Sequence, residues 1–171
     1  MIVVDASRLI LSIPHQNITY PIKLSHKGFC CLNGSFGTPY GHHETAELIG
    51  DGADSRQIFV GRVPTQLYKI GDQLPLITTR IIRLRGIQPG INQGTNSQEH
   101  CVDTYKRYIY IHGVPEEMFD DPESGSLGCI ILRPPDMIQL FNHVKTLSLR
   151  RPCPLHFIHY EHKIFHEECI V

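Results

Sequence analysis

Short segments rich in β-branched residues recur along the chain, and most are bounded by Gly, Pro, Asn or Ser. Apolar or alternating runs of this length are typical of β-strands, and the flanking residues favour turns. The segments are MIVVDA, RLILSIP, ITYPIKLS, RQIFVGRV, LITTRIIRLRG, RYIYIHGV and PLHFIHY. Because a single segment has clear helical spacing, the sequence predicts a mainly β domain.

The helical segment follows Pro134 and Pro135, which end the preceding strand-like run. Asp136 is expected to cap the helix. The residues expected on its apolar face are Met137, Ile138, Leu140, Phe141 and Val144. Residues 28–52 and 87–100 are rich in Gly and polar residues and are interpreted as loops. No repeat or linker divides the 171 residues, so one domain over residues 1–171 is expected.

Charge and hydropathy exclude two classes of partner. The formal net charge is −1, which provides no electrostatic footprint for nucleic acid. No apolar run approaches the roughly 20 residues of a membrane span. The first residues lack the basic region and the small-residue cleavage motif of a signal peptide. A cytoplasmic protein without nucleic-acid or membrane partners is therefore expected, and a periplasmic location would apply to a processed form.

Six cysteines are present, and none forms a C-x-x-C pair. In a reducing compartment, thiols are expected in place of disulfides. The C-terminal segment HFIHYEHKIFHEEC and the GHHE segment (residues 41–44) raise the question of a metal site. A strand followed by a tail does not obviously make these ligands converge, and no second cluster completes a site. No metal site is predicted.

Cys129 lies in the segment SGSLGCIIL, between a Gly-containing turn and an apolar strand. Backbone N–H groups in such a turn can converge on an oxyanion, so the thiol is a candidate nucleophile. A nucleophilic thiol needs a base, and the nearest upstream histidine is His112, at the end of a predicted strand. The residues alone still favour a buried core thiol, the commoner role of a free cysteine.

A resemblance to a known family favours the nucleophile over the core thiol. The segment RYIYIHGVPEEMFDDPESGSLGCIIL resembles the active site of the L,D-transpeptidase catalytic domain, called YkuD, which pairs a histidine with a later Ser/Thr-His-Gly-Cys motif. Similarity extends over roughly residues 36–144. It implies a β-sandwich-like catalytic domain with one short helix after the cysteine, and no cofactor.

The resemblance also implies roles for individual residues. Cys129 would be the nucleophile and His112 its general base, with the Gly113 carbonyl orienting the imidazole. Backbone N–H groups around Gly128 and Cys129 would bind the oxyanion, and the Ser126 hydroxyl would shape the turn. A thiolate–imidazolium pair is expected to raise the reactivity of the thiol.

Two residues depart from the family motif, and three more are candidates for substrate binding. Leu127 replaces the second histidine of the motif, and Ile131 replaces a usual Arg or Asn. Arg80 and Arg133 are candidate anchors for substrate carboxylates, although either can equally pair with a surface carboxylate. Tyr110 is expected to line the pocket or to pack in the core.

Members of the family attack the amide before the terminal D-alanine of a murein tetrapeptide and form an acyl-enzyme on the cysteine. The resemblance implies an L,D-carboxypeptidase of murein recycling, with the L,D-transpeptidase that forms cross-links as the alternative. It also implies that a carbapenem can acylate the cysteine. A murein-peptide-binding protein without catalysis is the alternative of another class, because Leu127 and Ile131 depart from the motif.

Overall fold

The computed structural model describes residues 1–24, 37, 40–54, 77–122, 126, 128–149 and 152–158. Their strands are β1 (Ile2–Asp5), β2 (Ile10–Ile13), β3 (Ile18–Pro21), β4 (Gly41–Ile49), β5 (Thr78–Gly86), β6 (Tyr110–Gly113), β7 (Ile130–Leu132) and β8 (Pro154–Ile158). Their α-helices are α1 (Glu116–Asp120) and α2 (Pro134–Ser148). The mainly β prediction is confirmed, while the strand predicted at residues 56–63 lies outside the described residues.

The strands form one sheet in the order β3-β2-β1-β8-β4-β5-β6-β7. The β1–β8 and β6–β7 pairs are parallel, and the other neighbours are antiparallel. Beyond the end of β3, Lys23 and Ile131 of β7 exchange two backbone hydrogen bonds of 2.9 Å. Because β3 and β7 are the outermost strands, this pairing joins the two edges of the twisted sheet. The β layer is therefore one continuous sheet that curls back on itself.

Helix α2 covers one face of the sheet, as the apolar spacing predicts. Its buried side chains include those of Met137, Leu140, Phe141 and Val144, which join the main hydrophobic core, while Ile138 is half-buried. Full burial of one such side chain contributes roughly 1.5–3 kcal/mol. Neither helix in the described part of the chain is long and apolar enough to cross a membrane.

The predicted cap of α2 is wrong. The helix begins at Pro134, its N-cap residue is Arg133, and no side chain caps it. Proline at the first helical position has a suitable φ and lacks the N–H that would need a partner. Asp136 therefore lies within the first turn, where its carboxylate complements the helix dipole. The short helix α1, with Glu116 and Glu117 in its first turn, was not predicted.

The loop interpretation of residues 28–52 is wrong for Gly41–Ile49, which forms strand β4 between β8 and β5. The buried residues of β4 include His43 and Thr45, which are polar, so hydrophobic alternation could not reveal the strand. A bulge between Thr45 and Glu47 further interrupts its register. Residues 87–100 form turns and isolated bridges, in agreement with their loop interpretation.

Strands β6 and β7 bring the two motif segments together. Ile111 pairs with Ile130, and both belong to the core cluster beneath α2. Side chains alternate between the faces of a strand, so Tyr110, His112 and Cys129 share the opposite face of the sheet. Pairing of strands that are distant in sequence thus places His112 in β6 beside the turn residue Cys129, which directly precedes β7.

Candidate active site

The turn before β7 requires glycine at position 128. Gly128 has φ of +124°, and a Cβ there would lie 2.6 Å from the Gly37 carbonyl oxygen. The Ser126 hydroxyl closes the turn, because it accepts from the Gly128 N–H at 3.1 Å and donates to the Cys129 carbonyl at 2.6 Å. To bind an oxyanion, the Gly128 N–H would first have to give up its hydrogen bond to the Ser126 hydroxyl.

Cys129 presents a half-buried thiol to the backbone of the segment that leads into β6. Its Sγ accepts from the Tyr110 N–H at 3.4 Å and donates to the Tyr108 carbonyl at 3.7 Å. Burial raises the pKa of the thiol to about 11, although the Tyr110 N–H and the charge of Arg107 act in the opposite direction. The resting cysteine is therefore a neutral thiol at pH 7.

His112 is buried in β6, where its Nδ1 and the Gly113 carbonyl oxygen are 2.9 Å apart. A carbonyl oxygen can only accept, so the proton lies on Nδ1 and Nε2 carries the basic lone pair. Burial lowers the pKa of His112 to about 4, with the Gly113 carbonyl acting in the opposite direction. The structure thus orients a neutral imidazole through the backbone oxygen that the sequence predicted.

His112 and Cys129 share one face of the sheet, yet the described residues contain no hydrogen bond between them. The imidazole bonds to Gly113, while the thiol bonds to the backbone of residues 108 and 110. The pKa values of about 4 and about 11 make both groups neutral at pH 7. Burial disfavours both charges. The thiolate–imidazolium pair implied by the resemblance stays a prediction.

The two predicted carboxylate anchors have other partners. Arg80 donates to the Ala53 carbonyl and to Asn142 of α2, and its guanidinium lies 5.3 Å from the Phe141 ring centroid. It therefore lies on the helix side of the sheet, away from Cys129.

Arg133 forms a two-pronged ion pair with Asp120, and its guanidinium lies 4.5 Å from the Phe119 ring centroid. Arg133 therefore pairs with a surface carboxylate, the alternative that the sequence left open, whereas Arg80 donates to a backbone carbonyl and an amide. A substrate-anchoring role for either arginine stays a prediction.

Three predicted residues remain: Tyr110, Ile131 and Leu127. Tyr110 is buried and packs with Ile81 against Cys129, so it forms the floor of the site. Ile131 is buried in a separate cluster with Phe119, which accounts for an apolar residue at that position. Leu127 lies outside the described residues.

Arg107 was missed by the sequence reasoning. Its Nη2 donates to the Gly37 carbonyl at 2.8 Å, and its charge lowers the pKa of Cys129. Arg107 and Gly37 are 70 positions apart in the chain. No local pattern signals such a contact, because it depends on how two loops meet in the folded chain.

Of the histidines considered for metal binding, His42, His43 and His156 lie in the described part of the chain and have protein partners there. His42 and His156 stack with ring centroids 4.0 Å apart. His43 is buried, with Nδ1 3.1 Å from the Gly41 carbonyl oxygen and Nε2 3.0 Å from the Thr104 hydroxyl. No group of three or more His, Cys, Asp or Glu suited to a metal ion occurs in the described part of the chain. The C-terminal histidines from position 159 onward lie outside it.

Comparison with known proteins identifies one family. A sequence model of the L,D-transpeptidase catalytic domain, YkuD, matches residues 8–151. No curated protein matches the chain.

Similar solved structures include L,D-transpeptidase 1 of Mycobacterium tuberculosis, with 17% identity over 92% of this chain and 60% of that chain, and a TM-score of 0.45. L,D-transpeptidase from Mycobacterium smegmatis has 16% identity over 92% and 57%, with a TM-score of 0.47. Bdellovibrio bacteriovorus Bd1075 has 15% identity over 92% and 47%, with a TM-score of 0.50, which supports a likeness of fold. The chain spans about half the length of these proteins.

Proposed function

The chain belongs to the L,D-transpeptidase catalytic-domain (YkuD) family, and from this premise we propose that it performs cysteine-dependent acyl transfer on peptidoglycan peptides. The observation that carries the proposal is the placement of His112 and Cys129 on one face of two paired strands. The oriented imidazole and the thiol are the two groups that a cysteine acyltransferase needs.

The proposed first step is attack of the Cys129 sulfur on the amide carbonyl before the terminal D-alanine. His112 Nε2 accepts the thiol proton as the C–S bond forms, and a neutral imidazole is the form able to do so. The imidazolium then returns that proton to the departing amine, which leaves as D-alanine. A thioester remains on Cys129, and the imidazole is neutral again.

The finer proposal is that water resolves this thioester, which makes the protein an L,D-carboxypeptidase of murein tetrapeptides and suits it to recycling. His112 would remove a proton from the water, and the Cys129 sulfur would leave with that proton. The thiol is half-buried over Tyr110 and Ile81, a recessed position that water reaches more easily than the amine of a second peptide stem. Resolution by such an amine would instead form a cross-link.

A second candidate is a murein-peptide-binding protein without catalysis. The specific observation in its favour is the neutral resting pair, in which the thiol has a pKa of about 11 and is not hydrogen-bonded to the imidazole. Catalysis requires that substrate binding brings Sγ and Nε2 into contact, whereas binding does not require it.

The deciding experiment incubates the protein with a murein tetrapeptide, with and without excess D-methionine, and follows D-alanine release by mass spectrometry. Cys129→Ala tests the nucleophile, and Cys101→Ala is the matched control because its thiol is exposed and lies in a different segment. Tripeptide in both incubations, lost in C129A and retained in C101A, is expected for a carboxypeptidase. A product with terminal D-methionine would instead indicate transpeptidation.

Absence of product from the wild-type protein, together with equal peptide binding by wild-type and C129A, would support the binding protein. Intact-mass analysis after incubation with a carbapenem separates these outcomes further. An adduct in C101A but not in C129A is expected for a reactive nucleophile.

A further inference from the structure

Three backbone segments meet beside Cys129: residue 37, residues 107–110 and the turn at Gly128. The Arg107 side chain joins the second segment to the first. Its guanidinium donates to the carbonyl of Gly37, the same carbonyl that packs against the α-carbon of Gly128. Gly37 is buried, so this carbonyl is held between the arginine and the turn that precedes the nucleophile. Removal of the guanidinium would leave a buried acceptor without this donor.

Arg107 is also joined to the thiol through its own backbone. The next residue, Tyr108, has a left-handed φ of +56°, which is uncommon for a residue other than glycine. The carbonyl of Tyr108 accepts from the Cys129 thiol at 3.7 Å, and the Tyr110 N–H approaches the same sulfur at 3.4 Å. The conformation of this turn therefore sets the two backbone groups that contact the nucleophile.

We propose that Arg107 is a positioning residue for Cys129, which holds the Gly37 carbonyl against the Gly128 turn and brings its guanidinium charge to the backbone beside the thiol. The inference rests on the proposed function in that Cys129 is taken as the nucleophile. This role differs from the one predicted for Arg80 and Arg133, which was to anchor substrate carboxylates.

Two other titratable groups on the described strands beside Cys129 are Arg83 and His112. On β5, Arg83 pairs with Glu47 of β4 at 3.1 Å, and its guanidinium lies 3.6 Å from the Tyr105 ring centroid. On β6, His112 is neutral at pH 7 because burial lowers its pKa to about 4.

Tyr108 packs edge-on against Tyr110, with ring centroids 6.5 Å apart. Among the described residues, Arg107 is the one whose charge shifts the pKa of Cys129, and it lowers that pKa.

The test measures the rate of Cys129 alkylation by iodoacetamide as a function of pH, which needs no substrate. Tryptic cleavage after Lys106 separates the peptides that carry Cys101 and Cys129, so mass spectrometry follows both thiols in one sample. Arg107→Gln removes the charge but keeps a hydrogen-bond donor, and Arg107→Lys keeps the charge. Alkylation of Cys101 in the same samples controls for reagent chemistry.

We expect R107Q to move the midpoint of the Cys129 profile upward by about one pH unit, which is about a tenfold lower rate at pH values below the midpoint. R107K should restore most of that rate, and Cys101 should show no change. In the wild type, high ionic strength should move the Cys129 midpoint in the same direction as R107Q, because salt screens the charge.

An unchanged Cys129 profile in R107Q would overturn the proposal, as would an equal shift in R107K and R107Q. If R107Q does not fold, R107K and the salt dependence of the wild type remain decisive, and a salt-independent midpoint would count against the charge. Because alkylation is independent of murein peptides, failure of this inference is distinguishable from failure of the proposed function.

Discussion

His43 in β4 and His112 in β6 are alike in almost every local respect. Each is buried, each has Nδ1 within hydrogen-bond distance of a neighbouring glycine carbonyl, and burial lowers the pKa of each to about 4. They differ at Nε2. In His43 this nitrogen meets the buried Thr104 hydroxyl at 3.0 Å, whereas His112 shares its face of the sheet with Cys129.

The comparison shows that burial and a perturbed pKa do not by themselves identify a catalytic histidine. Both rings are held neutral, so both are chemically able to accept a proton. The His43 ring has a hydroxyl at its second nitrogen and stabilises the packing of β4 against residue 104. The His112 ring has a basic nitrogen on the face that carries a thiol, which is why it, and not His43, is the proposed general base.

Substitution of the two histidines provides the largest expected contrast. If the proposed function holds, His112→Gln should lower kcat for D-alanine release about 10²–10⁴-fold, because it removes the proposed general base. His43→Gln should leave kcat unchanged and lower the free energy of unfolding by about 1–3 kcal/mol, because it disturbs a buried hydrogen bond. Steady-state kinetics and urea unfolding of both variants measure the two effects. A comparable loss of kcat in H43Q would contradict the assignment of different roles to the two histidines.

The pH dependence of stability should show the property that the two histidines share. Their folded pKa values of about 4 lie below the ordinary 6.5, so between these values the unfolded chain binds more protons. The free energy of unfolding should therefore fall as the pH falls from about 6.5 to about 4, by up to about 3 kcal/mol for each histidine.

The difference between wild type and H43Q isolates the contribution of one ring from those of other titrating groups. Urea unfolding at a series of pH values should give a shallower slope for H43Q across this window. Parallel curves for the two proteins would mean that His43 titrates normally in the folded state.

The smallest expected effect concerns the partner of His43. Thr104→Val keeps the shape of the side chain and removes the hydroxyl beside Nε2, so the free energy of unfolding should fall by about 1–2 kcal/mol. Thr104→Ser retains the hydroxyl and serves as the control. Kinetics of D-alanine release should be unchanged in T104V, and a reduced kcat would show that the His43 region is coupled to the active site.

Much of the site could be predicted because its residues lie in short contiguous segments of the sequence. The Gly-Cys turn, the strand that ends at His112 and the helix after Pro135 each have a local signature in residue type and spacing. The resemblance implied roles for Gly113 and Ser126. In the structure the Gly113 carbonyl lies within hydrogen-bond distance of His112, and the Ser126 hydroxyl bonds within the turn before β7. Strand β4 was missed because its buried side chains include polar ones that carry no hydrophobic period.

Sequence by itself determined which chemistry is possible: one thiol in a Gly turn, one histidine at a strand end, and an apolar helix to cover the sheet. Tertiary structure alone decided the charge states and partners, because desolvation and contacts between distant segments are properties of the folded chain. Burial makes Cys129 and His112 a neutral pair, and α2 and Asp120 engage Arg80 and Arg133. The contact of Arg107 with the Gly37 carbonyl, across 70 positions, brings a cation to the backbone beside the Gly128 turn, and no local pattern indicates it.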